Sequence, residues 1–118
     1  MLKSSLSKTS PEILALVADY FKVLSEVSRL IVLDLLRKSG PMNVTEIAEV
    51  TGLGQANLSK HLKVLTQAGF LSRKPSGVSV YYEIADPAIF ELCELVCDRV
   101  KDRLVQQAEQ FDRLNAFK

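Results

Sequence analysis

Residues 44–69, VTEIAEVTGLGQANLSKHLKVLTQAG, constrain the fold more than any other stretch of the chain. They read as two short helices joined by a tight, glycine-bearing turn. Asn43-Val44-Thr45-Glu46 fits a capping box, in which the Asn side chain caps the first helix and Glu46 reaches back to the Asn backbone. That helix ends at Thr51-Gly52. Gly54 then stands at the next N-cap position, where glycine is acceptable and serine would be better. The second helix runs from Gln55 to about Ala68 and stops at Gly69, with Leu58, Leu62 and Leu65 spaced to face a core. Small polar and basic residues fall on its outward side. Two helices so arranged form a helix-turn-helix (43–69), whose second helix enters a DNA major groove.

The segment FLSRKPSGVSVYYEI (70–84) follows directly. Val78, Val80, Tyr82 and Ile84 alternate with Ser79, Tyr81 and Glu83, the pattern of a half-buried strand, and Pro75-Ser76-Gly77 supplies the turn of a hairpin. A helix-turn-helix followed by a hairpin wing is a winged helix.

The rest of the chain extends this unit. Residues 1–9 read as a flexible arm. Ser10-Pro11-Glu12 starts a helix, with Ser as cap, Pro in the first turn and an acid beside it. Ile13, Leu14, Val17, Tyr20, Phe21 and Leu24 recur along it at helical spacing. Another start lies near Ser25 to Ser28. Leu30, Ile31, Leu33, Leu35 and Leu36 crowd that second helix, which is expected to be central, and Gly40-Pro41 ends it. Asp86-Pro87 repeats the cap-then-proline start. From there to Ala116 no Gly or Pro occurs, and apolar residues at 89, 93, 96, 97, 100, 104, 108 and 111 form one stripe. A helix of ~30 residues spans about 45 Å, too long for so small a domain to cover. The stripe needs a partner, and self-association supplies one. The 118 residues suffice for a single domain, 1–118.

Charge sharpens the reading. The net charge of +1 says little, but Val50 to Tyr82 holds four cations, Lys60, Lys63, Arg73 and Lys74, and no carboxylate. The remainder of the chain sums to −3. Positive charge is therefore concentrated where phosphates would lie. Gln55, Asn57, Ser59 and Lys60 lie on the front of the second motif helix. Gln and Asn amides pair bidentately with adenine, Ser donates or accepts, and Lys reaches guanine or phosphate. Lys63, Arg73 and Lys74 fit phosphate contacts, which position without specifying. The plainer alternative is a solvated helix face.

Other classes are less well supported. His61 is the sole histidine, without neighbouring metal ligands in sequence, and fits a structural or DNA-facing role. No Ser/His/Asp or Cys/His grouping is available for catalysis. Gly52-Leu53-Gly54 has neither the lysine of a phosphate loop nor a preceding strand. No apolar run is long enough to span a membrane, and MLKSSLSKTS has no apolar signal core, so a cytoplasmic protein is expected.

By these residues the chain resembles the ArsR/SmtB family of small bacterial metal- and stress-responsive repressors. The matching pieces are FKVLSEVSRLIVLDLL (21–36), GLGQANLSKHLKVLTQAGFL (52–71) and GVSVYYEI (77–84), within roughly residues 15–100. The resemblance implies a mainly α winged helix-turn-helix with a two-stranded β-hairpin. Its order is helix-helix-helix-helix-strand-strand-helix. It also implies a homodimer through the first helix and the long fifth helix (87–116), bound to a palindromic double-stranded DNA operator and released by an inducer. Three features depart from the family pattern. Glu26-Val27 stands where Asp-Pro is usual. Val78 follows the wing glycine where Arg or Lys is frequent, which predicts a weaker grip by the wing. The familiar metal sites are not intact: Asn43 to Val50 holds no Cys, and the fifth helix lacks the Asp-x-His and His-x-x-Glu ligands of zinc sensors.

The inducer therefore does not transfer, and Cys93 and Cys97 become the question. Four residues apart, they share a helix face with Cβ atoms about 5–6 Å apart. A disulfide needs about 3.5–4.5 Å, so chelation is easier than an intrahelical bond. Soft thiolates select Cu(I), zinc-group metals or thiophilic metalloids such as As(III). Two thiolates make a poor site, which the second subunit's pair, or Glu94 or Asp98, would complete. Three readings stay open: inert packing in the stripe, metal or metalloid sensing, and thiol redox sensing. The resemblance favours sensing, because family members place inducer cysteines on this helix. The competing class is a winged-helix protein-interaction module with inert cysteines and no DNA or ligand response.

Overall fold

A computed structural model describes residues 9–116. The expected arm at 1–9 lies, apart from Thr9, outside the described residues. The chain divides at Asp86/Pro87 into two compact units.

The first unit contains α1 (Pro11–Val23), α2 (Val27–Ser39), β1 (Met42–Asn43), α3 (Val44–Thr51), α4 (Gln55–Gln67), β2 (Leu71–Ser76) and β3 (Ser79–Ile84). Its core is built from Val32, Leu33 and Leu36 of α2, Ile47 of α3, Leu58, Leu62 and Leu65 of α4, then Phe70 and Leu71 leading into the wing. Burying each such side chain contributes about 1.5–3 kcal/mol.

The helix starts follow the sequence closely, with instructive exceptions. Ser10 caps α1 by accepting from the Ile13 amide, with Pro11 in the first turn. Asn43 and Glu46 form the reciprocal capping box, at 2.8 Å and 2.9 Å. Ser25 does not cap α2. Its hydroxyl donates to the Lys22 carbonyl, and Glu26 holds the N-cap position without a side-chain bond. Within α2 only one side is buried. Leu30 and Ile31 are exposed in the single chain, so the helix is central along one face alone. α1 buries none of its residues fully: Ile13, Leu14, Val17 and Phe21 are all exposed, while Tyr20 sets its ring edge-on to Phe70 at 4.8 Å.

The sheet has three strands, not two. The expected hairpin is present, pairing Leu71 with Ile84 through Ser76 with Ser79. β1 adds to it antiparallel, Met42 opposite Tyr82 and Asn43 opposite Tyr81, giving the order β1-β3-β2. A two-residue strand shows no alternation, so nothing in the sequence announced it. Asn43 thus ends a strand and caps a helix at once. The hairpin turn is also tighter than expected. Pro75 and Ser76 belong to β2, and Gly77 (φ +63°) with Val78 makes the two-residue loop. Proline is tolerated there because β2 is an edge strand.

The second unit is α5 (Ile89–Asn115), about 40 Å of helix. Its N-cap is Ala88, without a side-chain cap bond, so the expected cap at Asp86-Pro87 is displaced by a turn in which Phe90 donates to the Pro87 carbonyl. Val96, Val100, Leu104 and Phe111 of the expected stripe are exposed, as are Leu95, Val105 and Leu114. No helix among the described residues is long and apolar enough to cross a membrane.

Gly52 and Gly54 separate backbone need from space. Neither has an atom within 4 Å of an added Cβ, but Gly52 has φ +76° and Gly54 φ −65°. Gly52→Ala is expected to lower stability by about 1–2 kcal/mol, the cost of left-handed backbone with a Cβ. Gly54→Ser is expected to be neutral or to raise stability by up to about 1 kcal/mol, through a new cap and a less flexible unfolded chain. Urea denaturation of the two variants measures both signs.

Candidate nucleic-acid interface

The turn between α3 and α4 is held from within. The Thr51 hydroxyl donates to the Ile47 carbonyl at 2.7 Å and accepts from the Leu53 amide at 3.3 Å. Gly52 closes α3 in the left-handed conformation, its amide bonded to Ala48. At the far end of α4 the Gly69 amide returns to Thr66 and the Phe70 amide to Leu65. This is the Schellman pattern, sealed by two fully buried apolar side chains, Phe70 and Leu65. Both ends of α4 are thus fixed by local chemistry.

Its roll about its own axis is fixed by burial. Leu58, Leu62 and Leu65 are completely buried. Gln55, Asn57, Ser59, Lys60 and Lys63 are all exposed. The helix has no side chain at its N-cap, because Gly54 supplies none. An exposed helix front with amide, hydroxyl and ammonium groups, preceded by an open N-terminal turn, is suited to the hydrogen-bonding edges and phosphates of DNA.

His61 lies to one side of this front, half-buried. Its Nδ1 accepts from Arg29 Nε of α2 at 3.3 Å, and Arg29 Nη1 donates to the Val23 carbonyl at 3.1 Å. One guanidinium therefore links the end of α1, the start of α2 and the middle of α4. Of the two roles expected for His61, this geometry supplies the structural one. Arg29 itself was not singled out by the sequence, since nothing at position 29 signals a partner 32 residues on.

The wing distributes its charges differently from the sequence reading. Arg73 lies opposite Tyr82 on the face shared with Leu71, and Lys74 projects from the other face. The two expected phosphate contacts straddle the hairpin. Lys74 is also ion-paired: its Nζ meets Glu83 Oε1 across the strands. Glu83 lies one residue past the carboxylate-free window that ends at Tyr82, and only strand register brings it to Lys74. The wing tip, Pro75 to Ser79, carries no charge, and Val78 is fully exposed.

Cys93 and Cys97 are both thiols on α5, Cys93 half-buried and Cys97 exposed. Among the described residues no group of three or more His, Cys, Asp or Glu side chains is placed to hold a metal ion. One chain offers a soft ion two thiol donors from this pair, fewer than a closed tetrahedral site requires.

Helix-turn-helix, exposed polar front and adjoining wing define a DNA-binding winged helix. Residues 26–73 match the profile of bacterial regulatory proteins of the arsR family. The arsenical resistance operon repressor of Bacillus subtilis is 30% identical over 94 residues, covering 78% of this chain and 90% of the repressor. The crystal structure of Rv0081 from Mycobacterium tuberculosis superposes with a TM-score of 0.75 at 31% identity, covering 85% of this chain and 99% of that one. A homodimeric winged helix-turn-helix DNA-binding domain from Mycobacterium bovis superposes with a TM-score of 0.69 at 32% identity, covering 79% and 85%. The chain belongs to the arsR family of DNA-binding transcription regulators, and this is a family of regulators, not of enzymes.

Proposed function

We propose that this protein is a cytoplasmic, homodimeric repressor that binds a palindromic operator and is released by a thiophilic inducer acting at Cys93 and Cys97. The observation that carries the DNA-binding part is the α4 front: Gln55, Asn57, Ser59 and Lys60 stand exposed above a wholly buried leucine row. In this reading those four side chains read base edges, and Lys63, Arg73 and Lys74 serve the backbone.

Self-association is supported by the apolar faces that a single chain leaves uncovered, Ile13, Leu14, Val17 and Phe21 on α1 and Val96, Val100, Leu104 and Phe111 on α5. Large apolar side chains left exposed along a helix face mark an interaction site. The M. bovis relative is itself homodimeric. Two-fold symmetry then sets the operator: matching half-sites whose centres lie about one helical turn, or a multiple of it, apart. The inducer reading rests on two thiols one helical turn apart, one of them exposed, and on a relative named as an arsenical resistance repressor. A dimer offers four such thiols, enough for a soft metal or metalloid. The same thiols are open to oxidation, and the two chemistries part in whether a covalent cross-link forms between subunits.

Base reading is tested by Gln55→Ala and Asn57→Ala. Each is expected to cost about 1–3 kcal/mol on the duplex upstream of the protein's own gene and little on random duplex, by fluorescence anisotropy. Equal loss on both removes these residues from base readout. Assembly is tested by Leu104→Glu. An unpaired charge within a subunit interface costs several kcal/mol, so sedimentation is expected to show monomer; an intact dimer places the interface elsewhere.

The switch is tested with a Cys93→Ser, Cys97→Ser double variant, which is expected to hold the upstream duplex as the parent does and to stay bound when As(III), Cd(II) or peroxide is added. For the parent, release that a dithiol reverses while the subunits stay separable on a non-reducing gel indicates chelation; release with subunit cross-links on that gel indicates oxidation. If the double variant is released like the parent, the cysteines only pack.

A further inference from the structure

The Lys74–Glu83 pair suggests how this protein limits its attraction to DNA. We propose that Glu83 tempers DNA affinity by withholding Lys74 from the phosphate backbone wherever the wing is not seated. The proposal rests on the DNA-binding reading above.

Residues 70–84 contain two cations, Arg73 and Lys74, and one carboxylate, Glu83. The register sets Ser72 opposite Glu83 and Lys74 opposite Tyr81, so Lys74 and Glu83 are diagonal neighbours on one face of the hairpin. Their charged atoms are in contact. The Lys74 side chain remains 67% exposed, whereas that of Glu83 is 29% exposed. The carboxylate is the more fixed partner and the ammonium the one able to swing away. Arg73 leaves the hairpin on the opposite face, so of the two wing cations Glu83 acts on Lys74. The uncharged tip adds no cation to replace it.

Phosphate contacts of a lysine are indifferent to sequence. A lysine already neutralised by a carboxylate releases no counterion when DNA approaches, and the carboxylate repels the phosphates. An exposed pair is weak, equivalent to about a one- to fivefold preference. That is small enough for a well-seated complex to overcome. On the operator, base contacts by α4 hold the wing against the backbone and draw Lys74 from Glu83 to a phosphate. On random DNA nothing seats the wing, and the pair persists. The operator complex breaks the pair at its full cost, and the random complex forgoes a phosphate contact worth no more than the pair, so the carboxylate lowers affinity for both.

Salt dependence on random duplex tests this. On random duplex, where Lys60 meets a phosphate in place of a base edge, Lys60, Lys63 and Arg73 of both subunits give an expected slope of log K against log salt of about −5; with Lys74 added it reaches about −7. Glu83→Gln is expected to steepen the slope of the parent by up to about 2 and to raise random-duplex affinity by about two- to fivefold for each wing. Its affinity for the upstream duplex should rise by at least as much, with an unchanged salt slope there, because Lys74 already meets a phosphate in that complex. Lys74→Ala is expected to leave the random-duplex slope of the parent nearly unchanged, but to flatten that of the Glu83→Gln protein. Circular dichroism confirms that the compared variants are folded; if Glu83→Gln does not fold, the Lys74→Ala slope in the parent background decides alone. An unchanged slope in folded Glu83→Gln, or a Lys74→Ala effect as large in the parent as in that variant, overturns the role of Glu83 while leaving the DNA-binding reading intact. A parent that binds no duplex at any salt removes both.

Discussion

The leucine row of α4 governs much of this molecule. Leu58, Leu62 and Leu65 lie at helical spacing and are fully buried, so rotating the helix would trade about 1.5–3 kcal/mol per side chain for solvent contact. This burial turns an amphipathic sequence into an oriented one. Once those three face inward, the positions between them face outward, and Gln55, Asn57, Ser59, Lys60 and Lys63 have their direction set without any contact of their own. The caps then set the axial position. Gly52 and Thr51 fix the entry to α4, and the Gly69–Phe70 closure fixes its exit into the wing.

Around that helix, polarity is divided by function. The inner faces of the first unit are apolar, and no polar or charged residue is buried among the described residues. The hydrogen bonds that join distant elements sit at the margins, as with Arg29 reaching His61 and Val23. Such marginal bonds add fixed geometry where a purely apolar contact would slide, without the desolvation cost of a central charge. The wing adds a different economy: cations are present, but one is held by a carboxylate on the neighbouring strand.

Local chemistry made much of this legible in advance. The capping box at Asn43 and Glu46, the stop at Gly69, the unfilled cap at Gly54 and the inward leucines depend on residues within four positions of each other. What the sequence concealed depends on register or on long range. β1 is two residues, too short to alternate, and exists because β3 has an edge to fill. The Lys74–Glu83 contact needs the hairpin register. Arg29 meets His61 only because α2 and α4 pack in the same core. Asp86-Pro87 misled for a related reason: a cap-like pair marks where a helix may begin, and here a turn precedes the first helical residue. The cysteines were identified by spacing, but their surroundings depend on what covers α5.

Asn43 carries a consequence of its own. Its backbone is paired with Tyr81 in the sheet, and its side chain caps α3. Strand and helix share this residue with no linker between them, so α3 and the sheet cannot hinge apart at that point. The reading head is mechanically one piece. An effector that acts on such a piece has little to gain by bending it; what remains adjustable is its placement as a whole, and in a two-fold assembly that means the pitch between two stiff heads measured against the pitch of the double helix.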